Sequence, residues 1–410
     1  MVVATRPDER TVVGIWERQA FDSQSLTHLG LSVIYRGVPS DAGGPDYQDA
    51  TFGMVPAGII RGDVEFHVLA GDWYRHDHDR NPAYNKVALH VVWTQDVAET
   101  RRQDGISVPI LALDQDPVAS EAALIAAPAR SLLPHPCVDA FANVSTRDLR
   151  QAIVDLGLER LRQRSSLFAA DLDAEDVNQV AYRALLEGLG YASNRETFRA
   201  LADVVPYGWL QSQPLQERTA TLLDASRLGP PAAVLPPAHL SPDSWRLTRL
   251  RPANHPARRL EGMVDLLDRL RPSVARALLA LVEDASSPAD IRRGLEARSH
   301  DAAWIGSGRA DELAVSVVLP FVGATPGGAG LAERVFLQYP SPPHNRWTRH
   351  MLELLRLAGH VNVRVRTAAE HQGLHHLYHQ HCRKVPSADC TVCGVSSRTP
   401  EPAGDRSQLL

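Results

Sequence analysis

Seven residues, DVEFHVL from Asp63 to Leu69, alternate polar and apolar side chains. Side chains along a strand alternate between its two faces, so Glu65 and His67 point one way while Val64, Phe66 and Val68 point the other. Such a strand needs a sheet with one apolar layer against a core and one polar layer available for chemistry. Similar β-rich runs flank it: LSVIYR (31–36), ATFGMV (50–55), VALHVVW (87–93) and SVPILAL (107–113). Pro39, Gly43, Gly44, Pro45 and the stretch Pro56 to Gly58 supply the turns. Residues 13–22 read as a short helix ahead of the first strand, and the mostly apolar run 87–93 belongs at the sheet centre.

From about residue 119 the period becomes helical. Ser145 to Asp148 reads as a capping box ahead of Leu149, Ile153 and Leu156 on one face. Asp173 is expected to cap the next helix, with Gly188 and Gly190 at its end, and Met263, Leu266, Leu267 and Leu270 form another stripe. The stretch 228–243 (LGPPAAVLPPAHLSPD) reads as a proline-rich linker between helical blocks. The expected fold class is α+β. A mixed-sheet α/β domain (1–115) precedes an α-helical region (116–370), a cysteine-bearing metal knuckle (371–394) and a disordered polar tail (395–410). A chain of 410 residues suits two or three such units.

A net charge of −5 and a pI near 6.4 exclude the overall basic footprint of a dedicated nucleic-acid binder. No run of eighteen apolar residues is present, and MVVATRPDERTVV lacks the apolar core of a signal peptide. A cytoplasmic protein with no membrane partner is expected. All but two of the 43 basic residues are arginines, the exceptions being Lys86 and Lys384.

Asp46 stands just before the second strand, where it can meet Glu65 across the hairpin. Two carboxylates brought together repel unless a proton or cation joins them, and Mg²⁺ or Mn²⁺ is the usual hard-ion solution. GDWYRHDHD then contributes His76 and His78, read as a second ligand set, as proton donors to a leaving oxygen, or as imidazole ligands of Zn²⁺ or Mn²⁺. Asp72, Asp77 and Asp79 are further acids, Tyr84 and Asn85 are expected to fix the loop, and His90 reads as a hydrogen-bonded core histidine. Lys86 is either a cation serving the site or an ordinary lysine at a strand edge.

Pro45-Asp46 and Glu65-Phe66-His67 resemble the PD-(D/E)XK nuclease superfamily, whose members run helix, three-strand meander, helix, strand. The resemblance implies Asp46 and Glu65 as ligands of a catalytic ion, Glu17 as the first-helix acid, and DNA or RNA as substrate. His67 stands where that superfamily has lysine, and Lys86 is the natural candidate for a migrated one. The run with His76 and His78 is also similar to the FWHxH stretch of very-short-patch mismatch-repair endonucleases. A closer resemblance is to an uncharacterised bacterial family, a domain of unknown function. It is carried by Gly44 to Tyr47, Gly62 to His67, Asp72-Trp73, His76 to His78, Tyr84-Asn85, Val87 and Leu89 to Val92.

Cys382, Cys390 and Cys393 lie close in sequence, and the last two have the spacing of a metal knuckle. His379, His381 and the remote Cys137 are candidates for a fourth ligand. With Cys137 the set resembles the iron–sulfur nucleases of the same superfamily, so zinc and a [4Fe–4S] cluster both stand open. The arginines Arg246, Arg249, Arg251, Arg258 and Arg259 read as a solvated face before a phosphate contact, and Gly306-Ser307-Gly308 as a helix-entry turn. Three functions follow: a metal-dependent nuclease, an inactive nuclease-fold scaffold, or a histidine-rich metallohydrolase of a small molecule.

Overall fold

The computed structural model describes residues 7–40, 44–54, 58–123, 137–247, 254–298 and 303–384. Helix α1 (Glu9–Arg18) begins earlier than the pattern 13–22 implied, because the Asp8 side chain caps it by accepting from the Thr11 N–H. Gln19, in the left-handed region, ends it. After α2 (Ser23–Thr27) come β1 (Leu31–Tyr35), β2 (Val38–Pro39), β3 (Tyr47–Met54) and β4 (Gly58–Leu69). The crossover that follows holds α3 (Asp72–Arg75) and two 3₁₀ turns, His78–Arg80 and Pro82–Tyr84. It leads into β5 (Val87–Thr94). The run 107–113 is split at Pro109, which has no N–H for a ladder. Strand β7 (Ser107–Val108) pairs with β6 (Thr100–Arg101), and β8 (Ile110–Ala112) pairs with β5.

The main sheet has the order β1-β3-β4-β5-β8, with β2 on β3. β1, β3 and β4 are antiparallel neighbours, whereas β5 is parallel to β4 and β8 to β5. Helix α1 covers one face, where Val12, Ile15 and Trp16 pack with Phe52, Val64, Phe66, Leu89 and Val91. The crossover covers the other, where Trp73 and Tyr84 meet Val87. The register slips by one residue at Asp63/Val64, opposite Val87 and Leu89. That slip lets Val87 face the crossover while Leu89 faces α1. Helix α4 (Pro117–Ala123) returns to α1, so the first core extends past residue 115.

The helical region comprises α5 (Val138–Ala142), α6 (Thr146–Ala174), α7 (Val177–Leu189), α8 (Tyr191–Val204), α9 (Tyr207–Ser212) and α10 (Leu215–Ala225). Then follow α11 (Pro256–Arg269), α12 (Val274–Glu283), α13 (Pro288–Leu295) and the short pair β9 (Ala297–Arg298) and β10 (Ala303–Ile305). The chain continues through α14 (Ser307–Leu313), a π-helical turn at Ala314–Val318, α15 (Leu319–Ala324), α16 (Ala329–Gln338), α17 (Arg346–Leu357) and α18 (Ala368–Gln380). The expected cap at Ser145 forms, whereas α7 is capped by Asp176 because α6 continues through Asp173. Among the described residues no helix is long and apolar enough to cross a membrane.

The proline-rich stretch carries no helix or strand up to Ser241, as its composition requires, but it is strapped down. Buried Asp224 accepts from the Ala232 N–H and lies 3.1 Å from His239, and the Leu240 N–H donates to Ala225. Helices α6 and α18 pack so closely that a Cβ on Gly157 would stand 2.1 Å from the Ala369 carbonyl oxygen, and one on Gly373 would stand 1.8 Å from that of Ile153. Only glycine fits either position. Gly373→Ala is expected to destabilise the chain by roughly 1–3 kcal/mol as the two backbones are forced apart, read as a lower urea midpoint. An unchanged midpoint contradicts this packing.

A second apolar cluster joins the sheet to these helices, with Tyr35 and Val38 among Leu149, Ile153, Met351, Leu374 and Tyr378. Polar contacts reinforce it. Tyr35 Oη lies 2.6 Å from His350 Nε2, Arg346 donates to Gln48 at 2.6 Å, and Arg383 pairs with Asp49 at 2.8 Å.

Candidate metal centre

Strand β4 presents Glu65 and His67 on the face opposite α1, and both are nearly inaccessible at 3% and 2% exposure. The crossover supplies the remaining histidines. Helix α3 ends at His76, Asp77 adopts a left-handed conformation, and His78 opens the next 3₁₀ turn. The left-handed residue between them reverses the chain locally and turns both imidazoles onto the sheet. One nitrogen each from His67, His76 and His78 lies within 4.8 Å of the other two. His67 Nε2 is 3.1 Å from His76 Nδ1. Glu65 Oε1 is 3.2 Å from His78 Nε2 and 3.9 Å from His67 Nε2. With metal–nitrogen bonds of ~2.0–2.1 Å, tetrahedral ligands stand about 3.3 Å apart, so the three imidazoles lie close enough to share one ion, with Glu65 beside two of them.

The walls hold the donors in place. The Tyr84 ring stacks on His78 at 3.8 Å, and Trp73 meets His78 edge-on at 5.4 Å. Trp73 is itself pinned through its indole N–H to the Arg101 carbonyl at 2.8 Å. His90, across from Glu65 on β5, places Nε2 2.8 Å from His67 Nδ1. A proton on His67 Nδ1 donated to His90 leaves the His67 Nε2 lone pair facing the other donors, as metal-ligating histidines require. Burial first, and then the neighbouring imidazoles, hold His67 down at about 2, and burial holds His90 at about 3. Both rings are neutral at pH 7, the form that binds metal.

Asp46 and Glu65 meet, through reciprocal hydrogen bonds with the backbone. The Asp46 N–H donates to Glu65 Oε2 at 2.9 Å, and the Phe66 N–H donates to Asp46 Oδ2 at 3.4 Å. Asp46 thereby takes the place of a ladder partner beyond the end of β3 and turns Glu65 Oε1 toward the histidines.

Residues 9–228, more than half of the chain, match the family described as Protein of unknown function (DUF2851). The chain belongs to the DUF2851 family. Searches of curated proteins and of solved structures returned no match.

Every donor of the centre falls inside the stretch matched to DUF2851, whereas α17, α18 and Cys382 lie beyond it. Of the other residues singled out in sequence, Glu17 accepts from the Tyr47 hydroxyl, and Tyr47 packs edge-on against Phe66 on the α1 side of the sheet. Lys86 is exposed, and its charge acts on Asp63. Asp72 accepts from the Leu69 N–H and pairs with Arg75, Asp77 and Asp79 pair with Arg80, and Asn85 pins Gln103 and Asp104. Arg259 is buried against the Trp304 carbonyl and Asn254. Arg249 and Arg251 lie outside the described residues.

In this DUF2851 protein His90 is the hydrogen-bonded core histidine expected, with His67 as its partner. One residue, Asp63, was not singled out from the sequence. Asp63 shares the face of Glu65 and His67, a relation the two-residue period already implied. Its carboxylate accepts from the Asp49 N–H at 3.1 Å, and burial chiefly raises it to about 6. Cys137 and Cys382 are both buried in the apolar cluster beneath α18. Cys390, Cys393 and the tail 395–410 lie outside the described residues, and His371 to Gln380 belong to α18.

Proposed function

We propose that this chain is a metal-dependent hydrolase of phosphodiester bonds, with DNA or RNA as substrate class, and that His67, His76, His78 and Glu65 hold its ion. The convergence of three imidazole nitrogens, with the Glu65 carboxylate 3.2 Å from one of them, carries the reading. Lone pairs of His67 and His76 that face each other at 3.1 Å repel unless a proton or cation stands between them. Three imidazoles with one carboxylate suit Zn²⁺ or Mn²⁺ better than Mg²⁺. The nuclease class draws support from topology: α1, the antiparallel strands β1, β3 and β4, a helical crossover, and parallel β5 follow the element order of the PD-(D/E)XK resemblance.

When bound, the ion supplies Lewis acidity and lowers the pKa of a water. The chain's own groups orient that chemistry. Asp46 fixes Glu65 through its N–H, His90 fixes the tautomer of His67, and Trp73 and Tyr84 exclude water from one flank. Exposed His76 forms the open rim, where a substrate phosphate has access.

A second reading, hydrolysis of a small molecule at the same centre, is favoured by the histidine-rich donor set itself. Elemental analysis of purified protein, followed by cleavage assays on single- and double-stranded DNA and RNA with Mg²⁺, Mn²⁺ or Zn²⁺, tests both. Metal retention with Mn²⁺- or Zn²⁺-dependent cleavage is expected. Metal without cleavage of any nucleic acid moves the assignment to the second reading, and no metal binding removes both. Were the site to bind no ion, the fold would serve as a scaffold.

The cysteine group is a separate proposal: Cys137, Cys382, Cys390 and Cys393 as ligands of structural zinc or a [4Fe–4S] cluster. Visible absorbance after anaerobic purification selects the cluster, and colourless protein that loses one zinc on Cys382→Ser selects zinc. Neither result obtained, the thiols are simply buried side chains.

A further inference from the structure

Two arginines of α6 face α18 without a carboxylate partner among the described residues. Arg160 and Arg164 are one turn apart. Arg160 Nε donates to Gln372 Oε1 at 2.7 Å, and Arg164 Nη2 donates to the Ser316 carbonyl at 2.6 Å. Arg164 Nε is buried and has no hydrogen-bond acceptor among the described residues. Nearby acids are engaged elsewhere. Glu159 lies 3.7 Å from His376 and accepts from Gln163, while Glu187 lies between Arg195 and Arg199 at 3.8 and 3.6 Å. Arg164 feels Glu187 at longer range, opposed by the positive charge of Arg195.

The facing surface of α18 adds donors and no acid. His371, His375 and His379 recur every four residues along one side of the helix. His371 is 3% exposed; the Pro343 carbonyl is the acceptor beside its ring, the His344 ring stands 6.4 Å away, and no side chain among the described residues hydrogen-bonds either ring nitrogen. His375 Nδ1 is also buried without a partner. Burial first, with Arg160 contributing, holds His371, His375 and His379 well below the usual histidine range, so each is a neutral ring with one N–H to give.

Buried charges are normally paired, and buried donors are normally satisfied. Two partly buried guanidinium groups with neutral acceptors and no carboxylate among the described residues, beside imidazoles with spare buried nitrogens, call for an anion rich in acceptors. A carboxylate offers two oxygens. A phosphate offers three or four and matches the guanidinium fork. We propose that Arg160, Arg164, His371 and His375 form a binding site for a phosphate group, free or carried by a nucleic-acid strand. The site is independent of the metal-centre reading, since none of its residues belongs to that centre.

Thermal unfolding of the full chain in inorganic phosphate, compared with chloride at matched ionic strength, tests it. A rise in melting temperature of a few degrees is expected with phosphate. Arg160→Gln and Arg164→Met should each lose that rise. Arg164→Met should also melt no lower than wild type in chloride, because an unpaired buried charge has gone. Arg162→Gln, on the exposed side of α6 against Glu333, should keep the full response. A single-stranded oligonucleotide distinguishes the sources. A gain with the strand alone, lost in the variants, assigns the phosphate to a strand, and a gain with free phosphate assigns it to a small ligand. Equal wild-type melting in phosphate, strand and chloride overturns the proposal, as does an undiminished gain in both variants. Should neither variant fold, a crystal soaked in tungstate decides: anomalous density between Arg160 and His371 upholds the site, and its absence overturns it.

Discussion

His67→Ala and His78→Ala should each reduce bound Mn²⁺ or Zn²⁺ at the histidine centre to background and abolish any thermal stabilisation by those ions. Each removes one of three imidazoles from a set whose nitrogens lie within 4.8 Å. At an ion concentration a hundred times Kd, wild-type protein should gain about 2.7 kcal/mol, and these variants should gain none. His90→Phe makes a sharper test. It leaves every donor in place and removes only the partner 2.8 Å from His67 Nδ1. Loss of such a partner typically weakens metal binding about 10–100-fold. Retention of the ion with lowered affinity is therefore expected, and restoration by His90→Gln, whose amide can accept from the His67 N–H, would separate orientation from packing. Lys86→Ala should bind metal as wild type does. If the His67→Ala variant keeps the full ion complement and the full stabilisation, the centre is not where the geometry puts it.

Much of this centre was legible because strand periodicity is a local property. Glu65 and His67 had to share a face once residues 63–69 formed a strand, and β4 contains them. The meeting of Asp46 with Glu65 was also legible, since a hairpin pairs the start of one strand with the far part of the next. What the sequence could not disclose was the reversal at Asp77. A left-handed residue in a crossover depends on packing around Trp73 and Tyr84, so His76 and His78 appeared only as a second set of undetermined role. The short helix–helix contact at Gly157 and Gly373 was invisible for a similar reason, as two glycines far apart in sequence say nothing of each other. The strapped course of 228–241 depends on buried Asp224, one carboxylate that fixes a segment whose prolines indicate only that it is irregular.

The same chain should be markedly sensitive to mild acid, and α18 is the reason. His371 and His379 are each held at about 4, chiefly by burial, against a reference of ~6.5 for an unfolded chain. Below pH 6.5 the unfolded state therefore binds protons that the folded state refuses. Stability is fully present above about pH 6.5 and falls as the pH drops toward 4. At pH 5 each ring costs about 2 kcal/mol relative to pH 7. Asp63 acts in the opposite sense. Its folded value of about 6 lies above the ordinary carboxylate range, so the folded state takes up a proton first as pH falls, returning roughly 1 kcal/mol by pH 5. His371, His379 and Asp63 together contribute a net loss of roughly 3 kcal/mol between pH 7 and pH 5, and His67, His90 and His375, also held down by burial, deepen it in metal-free, phosphate-free buffer, measured as the difference in urea unfolding free energy. His371→Gln cannot be protonated and should remove about 2 kcal/mol of that dependence while Asp63→Asn steepens what is left. An unfolding free energy that stays level from pH 7 to pH 5 would mean that these imidazoles are reached by water in the folded chain, and with it the unpaired donors facing Arg160 and Arg164 would lose their reason to seek an anion.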